Sequence, residues 1–170
     1  MGYIIPIIMG SESDLDLGLK IKASLSNNFD IESDIRICSA HKACQNLLKI
    51  LDKYEANTNV KVYITIAGKS NALSALVDGN STKPVIACPP LKDTNMYDIY
   101  SSISMPSGIS PLTVLGAENA AISAAKVIGL SCESLKEKLS EYKHNMKSKL
   151  NILGEDNTAI SAAKVIGLSC

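Results

Sequence analysis

His41, one of only two histidines in the chain, stands in the stretch Ser39-Ala40-His41-Lys42. A histidine between a hydroxyl-bearing residue and a lysine can supply a base near neutral pH, a hydrogen-bonding hydroxyl and a cation in one turn. Two further polar turns have related chemistry. In Gly10-Ser11-Glu12-Ser13-Asp14, Ser13 or Asp14 suits a helix N-cap. The free amides of the helical turn that follows, with the macrodipole, favour an anion such as phosphate. In Gly68-Lys69-Ser70-Asn71, Gly68 lets the backbone approach a ligand closely. Taken singly, each reads as well as a surface turn or a capped helix. What favours a site is their equivalent placement, each between an apolar run and a helical one.

Those runs define the elements that must position the turns. Residues 3–9 are continuously apolar and rich in isoleucine, the pattern of a strand buried on both faces of a parallel sheet. Pro6 within it lacks a ladder donor and points to a bulge or an unpaired position. Residues 15–25 have helical apolar spacing, residues 31–38 read as a second strand, and residues 43–55 as a helix with Leu47, Leu48, Ile50 and Leu51 on its apolar side. Residues 60–67 alternate as a third strand, followed by a helix over 72–77. A fourth strand, 85–88, is ended by Pro89-Pro90. A short helix over 98–103, the loop Met105-Pro106-Ser107-Gly108, a fifth strand over 112–115 and an alanine-rich helix over 119–128 follow, with Gly129 as its stop. Five strands alternating with helices predict an α/β fold with a parallel, doubly wound sheet and right-handed crossovers. Ligands of such sheets gather beyond the carboxyl ends of the strands, so all three polar turns fall on the ligand-binding edge.

At 170 residues the chain suits one domain with a core that needs neither disulfide nor metal. Its 17 basic and 17 acidic residues cancel, and aromatic residues make up only 4%. There is thus no basic field and few stacking platforms, so nucleic acid is not an expected partner. The first apolar run is too short to span a bilayer and has no basic leader, so no membrane association is expected and the location expected is cytoplasmic. Five cysteines without a close Cys-x-x-Cys pair argue against a disulfide framework and a structural zinc site, and read as reduced thiols. Residues 135–150 form a charged amphipathic helix on which His144 reads as a solvated surface group. The segment from Ala121 to Cys132 then recurs unchanged from Ala159 to Cys170. Two copies do not make a solenoid. The layout expected is an α/β domain over 1–132 and a helical C-terminal extension over 133–170 containing the duplicate.

The three turns, together with Ala87-Cys88-Pro89-Pro90 and Met105-Pro106-Ser107-Gly108, resemble the phosphoribosylaminoimidazole (AIR) carboxylase family of purine biosynthesis over about residues 3–131. The resemblance is to its second class, which uses carbon dioxide directly. The first class, a mutase acting on the N-carboxylated ribonucleotide, usually carries Ser-Ala-His-Arg and a third turn richer in glycine and alanine. Lys42 and Lys69-Ser70-Asn71 tip the choice. The resemblance implies a flavodoxin-like three-layer fold, a homo-octamer with sites at subunit contacts, and no metal or organic cofactor. It implies that Gly10, Ser11, Ser13 and Asp14 bind the ribonucleotide together with Ser39 and Lys42. Ser11 and Lys42 serve chiefly the phosphate, and Asp14 the ribose hydroxyls. Gly68, Ser70 and Asn71 line the base and carbon dioxide pocket, and His41 moves the proton. Lys69 stands where the second class often has arginine, offering a point charge in place of a planar fork. Two alternatives remain: the mutase, and a non-catalytic nucleotide-binding or receiver-like module of the same fold. A receiver wants acidic residues after the first strand and an aspartate after the third, where this chain has Gly10-Ser11 and Gly68-Lys69.

Overall fold

The computed structural model describes residues 2–91 and 96–166, and of Met96 and residues 151–166 the backbone only. Five parallel strands, β1 (Ile4–Met9), β2 (Glu32–Ile37), β3 (Tyr63–Ile66), β4 (Val85–Ala87) and β5 (Leu112–Thr113), form one sheet in the order β2-β1-β3-β4-β5. Helices α1 (Leu15–Phe29), α2 (Cys44–Glu55), α3 (Ala72–Gly79), α4 (Tyr100–Ile103), α5 (Ala117–Gly129) and α6 (Glu133–Ile166) complete the chain. The result is a flavodoxin-like α/β fold with helices on both faces of the sheet.

The two faces follow from the two-residue period of the strands. In β1, Ile5, Ile7 and Met9 point to a core shared with Ile21, Leu25 and Phe29 of α1, the small-residue face of α5, and Leu135 of α6. Ile8 points the other way, into a core with Leu47, Leu51 and Tyr54 of α2 and Leu73 and Val77 of α3. These β1 residues are fully buried, so the unbroken apolar run is the signature of a strand covered on both sides. Small residues Ala120, Ala121, Ala124 and Ala125 are all buried, letting α5 lie close to the sheet and α1.

Pro6 causes no bulge, because β1 pairs with β2 in continuous register from Ile4↔Glu32 to Met9↔Ile37. Ile4 N donates to Asn59 O, on the β3 side. Two residues on, Pro6 faces that same side one position before the β3 ladder begins at Ile7↔Ile64. Its missing N–H therefore breaks no rung.

Several elements differ in length from the sequence expectation. The β3 ladder is confined to Tyr63–Ile66, although Val60 and Val62 before it are fully buried. β5 has only two residues, as befits an edge strand held by β4 alone. The tail helix runs on from Glu133 to Ile166, so the second copy of the repeat enters as a continuation of α6, whereas the first lies largely in α5. Residues 167–170, including Cys170, lie outside the described residues. The first turns of α6 are part of the folded unit: Leu135 is buried and Tyr142 packs on Phe29 with ring centroids 5.4 Å apart. Cys38, Cys44, Cys88 and Cys132 are free thiols, of which Cys38 and Cys88 are buried. Among the described residues no helix is long and apolar enough to cross a membrane.

Candidate active site

The strand order reverses at β1, which has β2 on one side and β3 on the other. That reversal opens a crevice beyond the carboxyl ends of the strands. The sheet's hydrogen bonding runs up to the roots of the loops: Gly10 N donates to Ile66 O at 2.9 Å and Cys38 N to Met9 O at 2.8 Å. The three loops thus leave a rigid base, and they converge on one cleft of about 490 Å³.

The first loop contributes Gly10, Ser11, Ser13 and Asp14. Ser11 caps a 3-10 turn over Glu12–Asp14, accepting from Ser13 N at 3.3 Å and from Ser13 Oγ at 3.0 Å. That turn runs directly into α1, so the hydroxyls gather where helix amides leave partial positive charge. Asp14 is buried, and Ser13 Oγ approaches its carboxylate at 3.4 Å.

The second loop contributes Ser39, Ala40, His41 and Lys42. Ser39 is its local organiser: its Oγ accepts from Lys42 N at 3.3 Å and its carbonyl from Ala43 N at 2.9 Å. The turn displays His41 and Lys42 as exposed side chains above the sheet edge. Beneath it, Cys38 Sγ lies 3.7 Å from Ala43 O, and burial first, then the neighbouring Cys44, pushes the Cys38 thiol up.

The third loop contributes Ala67, Gly68, Lys69 and Ser70, with Leu73 behind them. Ser70 has φ +48°, a left-handed conformation that costs a non-glycine residue roughly 1–2 kcal/mol and is held here by its surroundings. A Cβ on Gly68 would meet Pro90 Cγ at an ordinary 3.5 Å, so the protein does not itself force glycine there, and the open side of Gly68 is the cleft. Pro90 and Asp98 close the wall. Cys88, next to Pro89 in the chain and buried in the core, has its thiol pKa pushed up to about 11 by burial. Among the described residues no group of three His, Cys, Asp or Glu side chains could hold a metal ion.

A family model described as AIR carboxylase matches residues 4–149. The chain belongs to the AIR carboxylase family, enzymes of purine biosynthesis. The phosphoribosylaminoimidazole carboxylase of Archaeoglobus fulgidus is 47% identical over 145 residues, covering 85% of this chain and 79% of the relative. The enzyme of the same name from Treponema denticola is 45% identical over 151 residues, covering 88% and 94%. The crystal structure of Treponema denticola PurE superposes with a TM-score of 0.83 at 44% identity, covering 91% of this chain and 96% of that one. The match extends into α6, whose Leu135 is buried.

Of the residues expected at the site, Gly10, Ser11, Ser13, Asp14, Ser39, His41, Lys42, Gly68 and Ser70 all line the cleft. Asn71 does not. It is buried behind the third loop as the N-cap of α3, its Oδ1 accepting from Ser74 N at 3.0 Å. Its Nδ2 donates to Ser102 Oγ at 2.8 Å and its backbone N to Ser101 Oγ at 3.0 Å. With both ends of the amide engaged, it shapes the loop from behind. Sequence reasoning missed Asp98 in the wall, together with the apolar floor of Ala40, Ala67 and Leu73. Ala40 and Ala67 had a signal, since each adjoins a residue already singled out, whereas Leu73 lies in the first turn of α3. Asp98 had none. His144, the other histidine, is exposed on α6 and absent from the cleft lining.

Proposed function

We propose that this protein carboxylates aminoimidazole ribonucleotide at C4 with carbon dioxide, without a cofactor, as a member of the second class of its family. The observation that carries this reading is the convergence of Ser11 and Asp14, His41 and Lys42, and Gly68 and Ser70 in one cleft of a chain 45–47% identical to enzymes named phosphoribosylaminoimidazole carboxylase. Lys42 and the sequence Lys69-Ser70-Asn71 favour the second class over the mutase.

Each role follows from the chemistry of the group. Ser11, at the mouth of a helix, and Lys42, a mobile point charge, suit a phosphate. Asp14, a buried acceptor lining the same cleft, suits ribose hydroxyls. C4 of an aminoimidazole is an enamine-like carbon. Once it has attacked carbon dioxide, the ring must lose the C4 proton to become aromatic again, and His41 is the cleft's imidazole base for that transfer. Carbon dioxide binds weakly to any protein, so rate comes from holding it over a nucleotide gripped by its phosphate, with water kept out by Gly68, Ser70 and the apolar floor. The working form is a cytoplasmic homo-octamer, with residues 1–132 as the catalytic unit and 133–170 as a helical extension.

Purified protein given aminoimidazole ribonucleotide and bicarbonate is expected to form the C-carboxylated nucleotide. Turnover with only the N-carboxylated nucleotide would establish the mutase instead, and nucleotide binding without turnover on either would establish a binding module.

A further inference from the structure

Asp98 lines the same cleft as His41 and Lys42, yet its carboxylate has no ion pair or hydrogen bond among the described residues. It is half-buried, and it does not cap the helix that follows, since α4 has no side-chain cap. A carboxylate partly withdrawn from water without a partner costs free energy, and a ligand donor can offset it.

Its position is built. Ser101 Oγ donates to Asp98 O at 2.7 Å and accepts from Asn71 N at 3.0 Å, so one hydroxyl ties the segment carrying Asp98 to the third loop. Ser102, almost fully buried, accepts from Asn71 Nδ2 at 2.8 Å, and its carbonyl accepts from Thr113 Oγ1 at 2.8 Å, anchoring the same segment to β5. Ser101 Oγ also reaches Gly68 O at 3.4 Å, so Asp98 lines the cleft together with Gly68 and Ser70, the residues given above to the base and carbon dioxide.

We propose that Asp98 is a catalytic and specificity-determining residue that accepts a hydrogen bond from the exocyclic amine of the aminoimidazole. This rests on the function proposed above. When C4 attacks, the C4=C5 electron pair forms the new bond to the carbon of carbon dioxide. The lone pair of the exocyclic nitrogen forms C5=N, leaving positive charge on that nitrogen. The C4 proton then passes to His41, its electron pair restores the ring double bond, and the nitrogen recovers its lone pair. Asp98 takes no proton. Its charge faces a nitrogen that is neutral in the ground state and cationic after attack, so the contact strengthens on the way to the transition state. A nucleotide without that amine leaves the carboxylate unpaired and is discriminated against.

The test uses the full-length Asp98→Asn protein beside the wild type. With aminoimidazole ribonucleotide and bicarbonate, kcat is expected to fall about 10- to 100-fold with KM within about threefold, the scale of a lost charged hydrogen bond. Calorimetric binding of two probes, aminoimidazole ribonucleotide and imidazole ribonucleotide lacking the amine, gives a second readout. The wild type is expected to prefer the amine-bearing probe and Asp98→Asn to lose most of that preference. An unchanged kcat overturns the proposal, as does equal weakening of both probes, which a purely structural residue would produce. Absence of wild-type turnover sinks the carboxylase reading separately, since the binding preference is measured without turnover.

Discussion

Asn71→Ala separates a residue that shapes the site from one that touches substrate. The substitution removes two contacts whose costs can be stated. The N-cap bond from Ser74 N to Asn71 Oδ1 is worth about 1 kcal/mol. Losing Nδ2 leaves Ser102 Oγ, 1% exposed, without that donor, at about 1–3 kcal/mol. Together the expected destabilisation is about 2–4 kcal/mol. The bond from Asn71 N to Ser101 Oγ survives, because it belongs to the backbone. Urea unfolding at one fixed protein concentration should show a lower midpoint at unchanged slope. A cycle with Ser102→Ala isolates the side-chain pair: coupling of roughly 1–3 kcal/mol is expected between residues that share a buried hydrogen bond. A loss below about 1 kcal/mol, or single losses that simply add, would refute the reasoning.

His41→Asn should keep the fold and nucleotide affinity while turnover falls by about 100-fold or more; substantial residual activity would remove His41 from proton transfer. Burial opposes ionisation of Glu55, but hydrogen bonds from Tyr63, Ser81 and Lys83, and the charge of Lys83, outweigh it and hold its carboxyl below the ordinary glutamate range. With the folded value below the unfolded one, this stabilisation is present above the unfolded pKa and lost as pH falls through the folded one. Unfolding free energy should therefore drop between about pH 5 and pH 3 more steeply in the wild type than in Glu55→Gln, and parallel curves would contradict the assignment. Leu135→Ala should cost about 2–5 kcal/mol in a thermal or urea melt, since this α6 side chain is only 4% exposed; a neutral result would mean that α6 is not part of the core.

The sheet was legible because its strands are unlike anything else in the chain. Residues 3–9 have no polar residue to interrupt burial on both faces, and each of the first three strands ends in a polar turn. What was not legible depends on tertiary neighbours. Pro6 looked troublesome because sequence cannot reveal on which side of β1 its missing donor falls. The resemblance put Asn71 in the pocket lining, and its neighbours in sequence give no sign that Ser101 and Ser102, thirty residues on, hold it from behind. Asp98 sits in an acidic and tyrosine-containing stretch with no motif of its own, and comes to the cleft only through that brace. The length of α6 was underestimated because its amphipathic pattern gives way to the repeated segment, which carries a different apolar rhythm on the same continuous backbone helix.

The strand order also acts as a ruler. Neighbouring strands stand about 4.8 Å apart, so the roots of the loops after β2, β1, β3 and β4 are set at fixed intervals, about 14 Å from first to last. The loops can vary in side chain but cannot change that span without rebuilding the sheet. Ligand length is thus measured by the backbone, before any side chain makes contact. For the ribonucleotide proposed above, this span favours a molecule that carries a phosphate and a base on one sugar over ribose 5-phosphate or a free aminoimidazole.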